Sequence, residues 1–467
     1  MKPMTRLNIH LATALMALTG LNAYAATASG APDDQLIQKG KYLATAGDCI
    51  ACHTVPGSNK LFAGGSVLPT PVGDIVATNI TPSKTHGIGN YTLEDFSNAV
   101  RLGKAPGGKY LYPAMPYTAY AQVTDEDIAA MYAYFMNGVK PVDVAPPPTQ
   151  LPFPFNIRLS MAGWNLLFLD DKPFQPEPDK GELWNRGAYL ARGLTHCTTC
   201  HTPRNTLMAE NLAKELAGGE VGPWHAPNIT SDPNSGIGGW SDQEIVDYLK
   251  TGHIEKGQAS GPMAEAIDMS LRHMTDPDLK AIAVYLKSVP AVRDAADSKP
   301  VYDWGQATDN LNLVRGVAWP DNPNQMTGPQ LYDAHCATCH QAQGQGTKGG
   351  GLPALYHNTA LGRANTNNLV MVMLDGITRH GDTTERVMPG FRTTMSDTQI
   401  ATLGTYLTEH YGNPAAKVTA AQVATLRKGG ESSNLIELAR TGIILVAAVI
   451  ILALITFGIR RRSRKRR

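Results

Sequence analysis

Cysteine is scarce in this sequence, and the way it is used excludes a disulfide framework. The chain has 467 residues but only six cysteines, and all six lie in three C-x-x-C-H motifs. No cysteine is left for a disulfide elsewhere, and a histidine after every pair would be a coincidence in a disulfide scaffold. A structural zinc site is also disfavoured, because it takes four protein ligands and each motif offers three.

Signatures of other chemistries are missing as well. The sequence has no dinucleotide fingerprint between a predicted strand and helix, no P-loop, no nucleophile elbow and no metalloprotease helix. We therefore predict no catalytic residues in this chain, and the function has to come from the three cysteine motifs.

The C-x-x-C-H pattern is typical of covalent attachment of c-type haem. Two thiols form thioethers with the haem, and the adjacent histidine is an axial ligand of the iron. Three motifs predict three covalently bound haem c groups. The attaching and ligating residues are Cys49, Cys52 and His53 in the first motif, Cys197, Cys200 and His201 in the second, and Cys336, Cys339 and His340 in the third.

A methionine is a common sixth ligand in cytochromes c. Met115 and Met263 each follow the motif histidine by 62 residues, and Met388 follows its own by 48. Each has a proline beside it, which restricts the backbone that presents the sulfur. We predict these three as iron ligands. The alternatives left open are Met269 and Met274 at the second site and Met395 at the third.

The repeated motifs predict an all-α fold of three tandem class I cytochrome c domains followed by a transmembrane helix. We call the three domains unit one (26–143), unit two (179–290) and unit three (326–413). Before each motif a Gly with a nearby Tyr suggests a close helix crossing, and a helix opened by Ser or Thr ends each unit. The remaining predicted segments are a signal peptide (1–25), a Pro-rich linker with an apolar insert (144–178), a second linker (291–325), a spacer (414–434), the transmembrane helix (435–459) and a basic tail (460–467).

Units one and two read as duplicates, and unit three does not. The cysteines of units one and two are offset by 148 positions, and Asn79-Ile80-Thr81 recurs 149 positions later as Asn228-Ile229-Thr230. Unit three shares the two ends but has five glycines between 344 and 351 in its middle. In the first linker, residues 159–168 are apolar. They are either a strap that packs between haem domains, which we prefer, or a contact for a partner.

Both ends of the chain carry membrane-targeting signals. Lys2 and Arg6 precede an apolar run and a small-x-small cleavage site ending at Ala25, as in a secretory signal peptide. Residues 441–459 are free of charge and long enough to cross a bilayer. Seven basic residues follow, so the positive-inside rule predicts a cytoplasmic tail and haem domains in the periplasm, anchored in the cytoplasmic membrane. The body between the two ends is acidic, which argues against a nucleic-acid partner.

The combination of motifs resembles one family. The stretches that carry the resemblance are Gly47-Asp48-Cys49-Ile50-Ala51-Cys52-His53-Thr54, Thr78-Asn79-Ile80-Thr81-Pro82, His86-Gly87-Ile88-Gly89, Tyr112-Pro113-Ala114-Met115-Pro116-Tyr117, His196-Cys197-Thr198-Thr199-Cys200-His201-Thr202-Pro203-Arg204 and Gly261-Pro262-Met263-Ala264-Glu265. They are similar to those of the tri-haem cytochrome c subunits of membrane-bound periplasmic dehydrogenases. That group includes the gluconate 2-dehydrogenase, fructose dehydrogenase, alcohol dehydrogenase and aldehyde dehydrogenase complexes.

The resemblance implies an electron-transfer subunit. It would take electrons from a catalytic dehydrogenase subunit that oxidises a sugar, sugar acid, alcohol or aldehyde, and pass them to ubiquinone. The C-terminal anchor favours the flavin-dependent gluconate or sugar type, although quinoprotein and molybdenum partners are alternatives. Two other functions stay open at this point: a free-standing carrier to a terminal oxidase, and a haem peroxidase.

Overall fold

A computed structural model describes residues 33–347, 352–380 and 385–465. The predicted signal peptide lies outside this range. The helices are α1 (Asp34–Ala46), α2 (Cys49–His53), α3 (Leu93–Leu102), α4 (Tyr117–Tyr120), α5 (Asp125–Ala133), α6 (Ser160–Phe168), α7 (Glu182–Ala188), α8 (Cys197–His201), α9 (Asp242–Thr251), α10 (Gly261–Met269), α11 (Asp276–Ser288), α12 (Gly328–His335), α13 (Ala337–His340), α14 (Thr359–Gly362), α15 (Asn367–Asp375), α16 (Asp397–Tyr411), α17 (Ala420–Arg427) and α18 (Leu435–Lys465).

The chain is helix-rich but has short strands that the all-α prediction did not include. In the described residues they form five antiparallel hairpins, each strand two to four residues long. The pairs are β1 (Val67–Leu68) with β2 (Ile75–Val76), β3 (Lys104–Ala105) with β4 (Lys109–Tyr110), β5 (Gly219–Val221) with β6 (Trp224–Ala226), β7 (His253–Ile254) with β8 (Gly257–Gln258), and β9 (Ile377–His380) with β10 (Glu385–Met388). These hairpins lie in the loops between helices, and their strands are too short to form the core of a sheet.

The predicted helix crossings are present. A Cβ on Gly40 of α1 would lie 1.9 Å from the carbonyl oxygen of Ala130 in α5, so only glycine lets these helices approach so closely. Gly187 of α7 meets the Ala281 carbonyl of α11 at the same 1.9 Å. In unit three, a Cβ on Gly328 of α12 would lie 2.5 Å from Cβ of Tyr406 in α16. The first and last helices of each unit therefore cross at a glycine.

The hydrophobic core is divided unequally among the units. One cluster of buried side chains combines residues from units one and two, among them Leu43, Ile128, Leu190 and Leu279. A second cluster belongs to unit three and includes Val423 from α17. Units one and two therefore share one core, while unit three has its own.

Two tyrosine–carboxylate bonds join units one and two reciprocally. The Tyr42 hydroxyl in α1 donates to Asp278 at the start of α11 over 2.6 Å. The Tyr189 hydroxyl of unit two donates to Asp127 at the start of α5 over the same distance. A cation holds each carboxylate, since Arg186 contacts Asp278 and Lys39 contacts Asp127, both at 2.8 Å.

Unit three attaches to unit two mainly through polar groups. Arg379 on β9 is buried and contacts Asp268 of α10 at 2.7 Å. The Asn368 side chain exchanges two hydrogen bonds with the backbone of His225, at 2.8 and 2.9 Å. Trp224 of unit two adds an apolar contact with the unit-three core.

The C-terminal part differs from the predicted sequence of segments in one respect. The predicted spacer 414–434 contains α17, whose Val423 and Leu426 are buried in the unit-three core. Beyond it, α18 is one long helix, apolar enough by length and composition to cross a membrane. The helix is exposed along its apolar length.

Candidate functional site

Each cysteine motif folds into a single helical turn, but the approach to that turn differs. In units one and two the residue before the first cysteine has a left-handed backbone, with φ of 52° at Asp48 and 40° at His196. In unit three, α12 runs on to His335 directly before Cys336, and the residue with positive φ is Gln341, after the motif, with φ of 65° and an extended ψ of 165°. A residue with positive φ thus precedes each of the first two motifs, whereas in the third unit such a residue follows the motif.

In all three motif histidines, Nδ1 is hydrogen-bonded to a main-chain carbonyl oxygen. Nδ1 of His53 lies 2.6 Å from the Thr78 carbonyl oxygen, and Nδ1 of His201 lies 2.6 Å from that of Pro227. Nδ1 of His340 lies 3.0 Å from the Pro353 carbonyl oxygen. A carbonyl can only accept, so each Nδ1 carries the proton and donates it, which leaves the Nε2 lone pair of every ring free to bind a metal.

Burial keeps these imidazoles neutral. It lowers the pKa of His53 and His340, and it lowers that of His201 to about 4. A neutral imidazole with Nδ1 tied to a carbonyl is the form that ligates iron.

The six cysteines also have the state that thioether formation requires. None of them is in a disulfide. Burial, the largest cause in each case, raises the pKa of Cys49, Cys52 and Cys336 to about 12, so these thiols are protonated rather than metal-binding thiolates. Within the described residues no cluster of three His, Cys, Asp or Glu side chains could hold a metal ion alone. The donor set therefore fits haem c, with an imidazole and two thiols at each site.

The three predicted methionines lie on different local structures. Met115 lies in a bend directly before α4, Met263 in the first turn of α10, and Met388 at the end of β10. Met115 and Met263 are partly buried against the shared core. Only Met115 therefore lies outside a regular helix or strand. Of the alternatives, Met274 and Met395 are buried in the two cores, and Met269 is 42 % exposed. The assignment of Met115, Met263 and Met388 as ligands stays a prediction.

The first two sites lie side by side. The Tyr120 hydroxyl donates to the Gly47 carbonyl oxygen at 2.6 Å, and the Tyr120 ring also contacts His196, so the residues that precede the first and second motifs meet at one tyrosine. Burial, and after it the Glu265 carboxylate of α10, raises the pKa of Asp48 to about 8, which makes that carboxyl neutral at pH 7. His196 faces Tyr120 of unit one edge-on, with ring centroids 5.5 Å apart. His196 of unit two therefore contacts unit one.

The residues that hold the two sites together were missed from the sequence. They are Tyr42, Tyr189, Asp127 and Asp278, the four members of the reciprocal bonds. A signal was available, because Gly-x-Tyr and a Thr-led helix start with Asp at its third residue occur in both units. We interpreted the tyrosines as gap fillers and the aspartates as helix starts, because nothing in a linear pattern pairs residues about 236 positions apart.

Comparison with known proteins agrees with this chemistry. The family model for cytochrome c matches three regions of the chain, residues 37–138, 185–290 and 325–410. Each region contains one cysteine motif together with its predicted methionine.

Several characterised proteins are similar along nearly the whole chain. The fructose dehydrogenase cytochrome subunit of Gluconobacter japonicus is 43 % identical over 472 aligned residues, covering 97 % of each chain. The gluconate 2-dehydrogenase cytochrome c subunit of Pantoea cypripedii is 39 % identical, covering 89 % of this chain and 94 % of that one. The cytochrome c subunit of the quinone-dependent alcohol dehydrogenase of Gluconacetobacter polyoxogenes is 37 % identical, covering 91 % of both.

Proposed function

The chain belongs to the cytochrome c subunits of dehydrogenase complexes, and we propose that it carries electrons from a catalytic subunit through three haems to ubiquinone. The proposed catalytic partner oxidises a sugar or sugar acid and is flavin-dependent. Support for the sugar type comes from the similarity to the fructose and gluconate dehydrogenase cytochrome subunits.

The observation that carries the proposal is the threefold recurrence of a neutral histidine with Nδ1 bound to a main-chain carbonyl. When bound, haem c supplies one-electron redox chemistry at each site. The chain's own task is to fix that group in place. The two cysteines would attach it and the histidine would ligate its iron, while the carbonyl bond fixes the tautomer and rotation of the histidine ring.

On this proposal Met115, Met263 and Met388 close the sixth positions. A closed iron site has no room for substrate or peroxide, and this favours electron transfer over peroxidase chemistry. Met115 and Met263 are held by the shared core, so their sulfurs would have little freedom. The thioether ligand raises the reduction potential, as an acceptor of electrons from a dehydrogenase requires.

The adjacency of sites one and two supports transfer between them. The contacts of Tyr120 with Gly47 and His196 and the Tyr42–Asp278 and Tyr189–Asp127 bonds hold the two units as one body. The polar attachment through Arg379 and Asp268 would fix the third site relative to this pair. A fixed spacing suits electron transfer, because the pathway does not depend on domain motion.

The membrane end of the relay is proposed from α18. Its uncharged stretch is followed by a basic end, so the haem units would lie on the periplasmic side of the cytoplasmic membrane. Ubiquinone, which is confined to the bilayer, would then be reduced near the point where α18 enters it.

Deleting this chain from its host tests the proposal. We expect membranes of the deletion strain to lose substrate-dependent ubiquinone reduction, while solubilised extracts keep oxidation of the same substrate by an artificial acceptor. The intact chain should co-purify with a larger flavin-containing subunit. Unchanged ubiquinone reduction in the deletion strain, with no co-purifying catalytic chain, would contradict the proposal.

A further inference from the structure

Helix α6 presents leucine side chains to the outside, while Trp164 and Asn165 face the protein. The outward face consists of Leu159, Gly163, Leu166 and Leu167, spaced as one face of a helix, and the leucines are 72 %, 86 % and 67 % exposed. In a surface helix of a water-soluble domain, polar and charged residues face the solvent instead. Residues 159–169 contain no charge at all.

The inward face of α6 is fixed by hydrogen bonds rather than by apolar packing alone. Asn165 accepts from the Tyr117 hydroxyl at 2.7 Å and donates to the Leu102 carbonyl at 3.0 Å. The Trp164 indole donates to the Leu207 carbonyl at 2.9 Å, which ties α6 to unit two as well. The helix is therefore held in a set orientation, and its leucines are directed outward by the fold.

The segment that leads into α6 lies against the membrane helix. Arg440 Nε donates to the carbonyl oxygen of Phe153 at 3.0 Å. Arg440 is the last charged residue before the uncharged stretch of α18, which begins at Thr441. The position of Phe153 is thus level with the edge of the apolar stretch, only six residues before Leu159. The side chains of Phe153 and Ile157 are each 47 % exposed, so the apolar surface continues from α18 to α6.

From this continuity we propose that the outward face of α6 is a second membrane contact, inserted among the lipid chains of the leaflet that α18 enters. The inference rests on the proposed anchoring by α18. A charge-free helix with exposed leucines and neighbouring aromatics is suited to the lipid–water interface. Two contacts, α18 and α6, would fix the tilt of the haem units relative to the bilayer, which a single helix cannot do. The inward contacts of α6 with units one and two are compatible with the predicted strap, and the lipid contact would use the opposite face of the same helix.

Site-specific photocrosslinking tests the proposal in the assembled complex. A benzophenone amino acid replaces Leu166 in the full-length chain, and native membranes are irradiated and analysed by mass spectrometry. We expect lipid adducts at Leu166, several-fold above those at Glu126, an exposed residue on α5 that serves as the water-facing control. Adducts to the catalytic subunit or to a second copy of this chain, or no adduct, would overturn the proposal.

A label at Ile451 in the middle of α18 separates this inference from the proposed anchor. Lipid adducts at Ile451 without any at Leu166 would reject the α6 contact and leave the anchor intact. Adducts at Leu166 without any at Ile451 would reject the anchor and retain α6 as the contact with lipid. Lipid adducts at neither position would overturn both.

Discussion

Units one and two pack together around one core, while unit three has a separate core and is attached to unit two. The first two share a hydrophobic core and exchange two tyrosine–aspartate bonds. Unit three closes its own core and meets unit two through polar groups that include Arg379, Asn368 and Arg363. The difference begins one residue before the haem motifs, where Asp48 and His196 have left-handed backbones and the corresponding residue of unit three does not.

One helix position explains why unit three stays out of the pair. The third residue of α5 and of α11 is an aspartate, and its carboxylate accepts a tyrosine hydroxyl from the other unit. The third residue of α16 is Gln399, whose side chain instead accepts from the backbone of Ser396 and completes a capping box on its own helix. The same position thus serves association in two units and helix capping in the third.

The largest effect we expect separates Met388 from Met395 in unit three. Met388→His should lower one of the three midpoint potentials by on the order of 0.2 V, because axial ligands set haem potentials over a range of ~0.8 V. Met395→Leu should leave all three potentials unchanged, since Met395 is a core residue. Spectroelectrochemical titration of both variants measures these potentials. A shift in the Met395→Leu variant and none in the Met388→His variant would identify Met395, not Met388, as the iron ligand.

The attachment of unit three should depend strongly on Arg379. Arg379→Met leaves Asp268 without its closest cation, and loss of one partner of a buried ion pair costs about 3 kcal/mol. Hydrogen exchange should then speed up in β9 and α10 but not in α1 or α5. Lys417→Met, which removes an exposed ion pair with Glu409, is the matched control and should change nothing measurable. Equal protection of β9 in the two variants would show that unit three is held by other contacts.

The glycine crossings should respond unequally to a single added methyl group. Gly40→Ala places Cβ against a backbone carbonyl at 1.9 Å, which cannot move without separating α1 from α5, so we expect a loss of about 3 kcal/mol. Gly328→Ala meets Cβ of Tyr406 at the longer distance of 2.5 Å, so a smaller loss of about 2 kcal/mol is expected. Local opening free energies from hydrogen exchange compare the two crossings. A larger loss at Gly328 would contradict the comparison.

The reciprocal bonds should be individually modest and should act on units one and two alone. Tyr42→Phe removes a bond to a charged acceptor, worth about 1.5 kcal/mol, and Tyr189→Phe should do the same. Tyr332→Phe loses a bond to a neutral carbonyl, and its other hydroxyl contacts also lie within unit three, so about 1 kcal/mol is expected there. Exchange protection of α1 and α7 should fall in the first two variants and not in the third.

The sequence predicted the repeating features and missed those that depend on contacts between units. Features contained within a single unit were predicted, because their spacing along the chain recurs from unit to unit. They are the cysteine motifs, the last helix of each unit and the crossings at Gly40, Gly187 and Gly328. The shared core and the Tyr42–Asp278 bond join residues far apart in sequence, and no local pattern contains that pairing. The outward leucines of α6 were visible as an apolar run, but only the fold shows which of its faces is directed outward.

The central claim is that all three iron sites are closed and serve electron transfer alone. Pyridine haemochrome analysis of the purified full-length chain, followed by exposure of the reduced protein to carbon monoxide, tests this most directly. The account predicts three haem c groups per chain and no change in the reduced spectrum on adding carbon monoxide. Fewer than three haems, or a carbon monoxide complex at any of them, would contradict it.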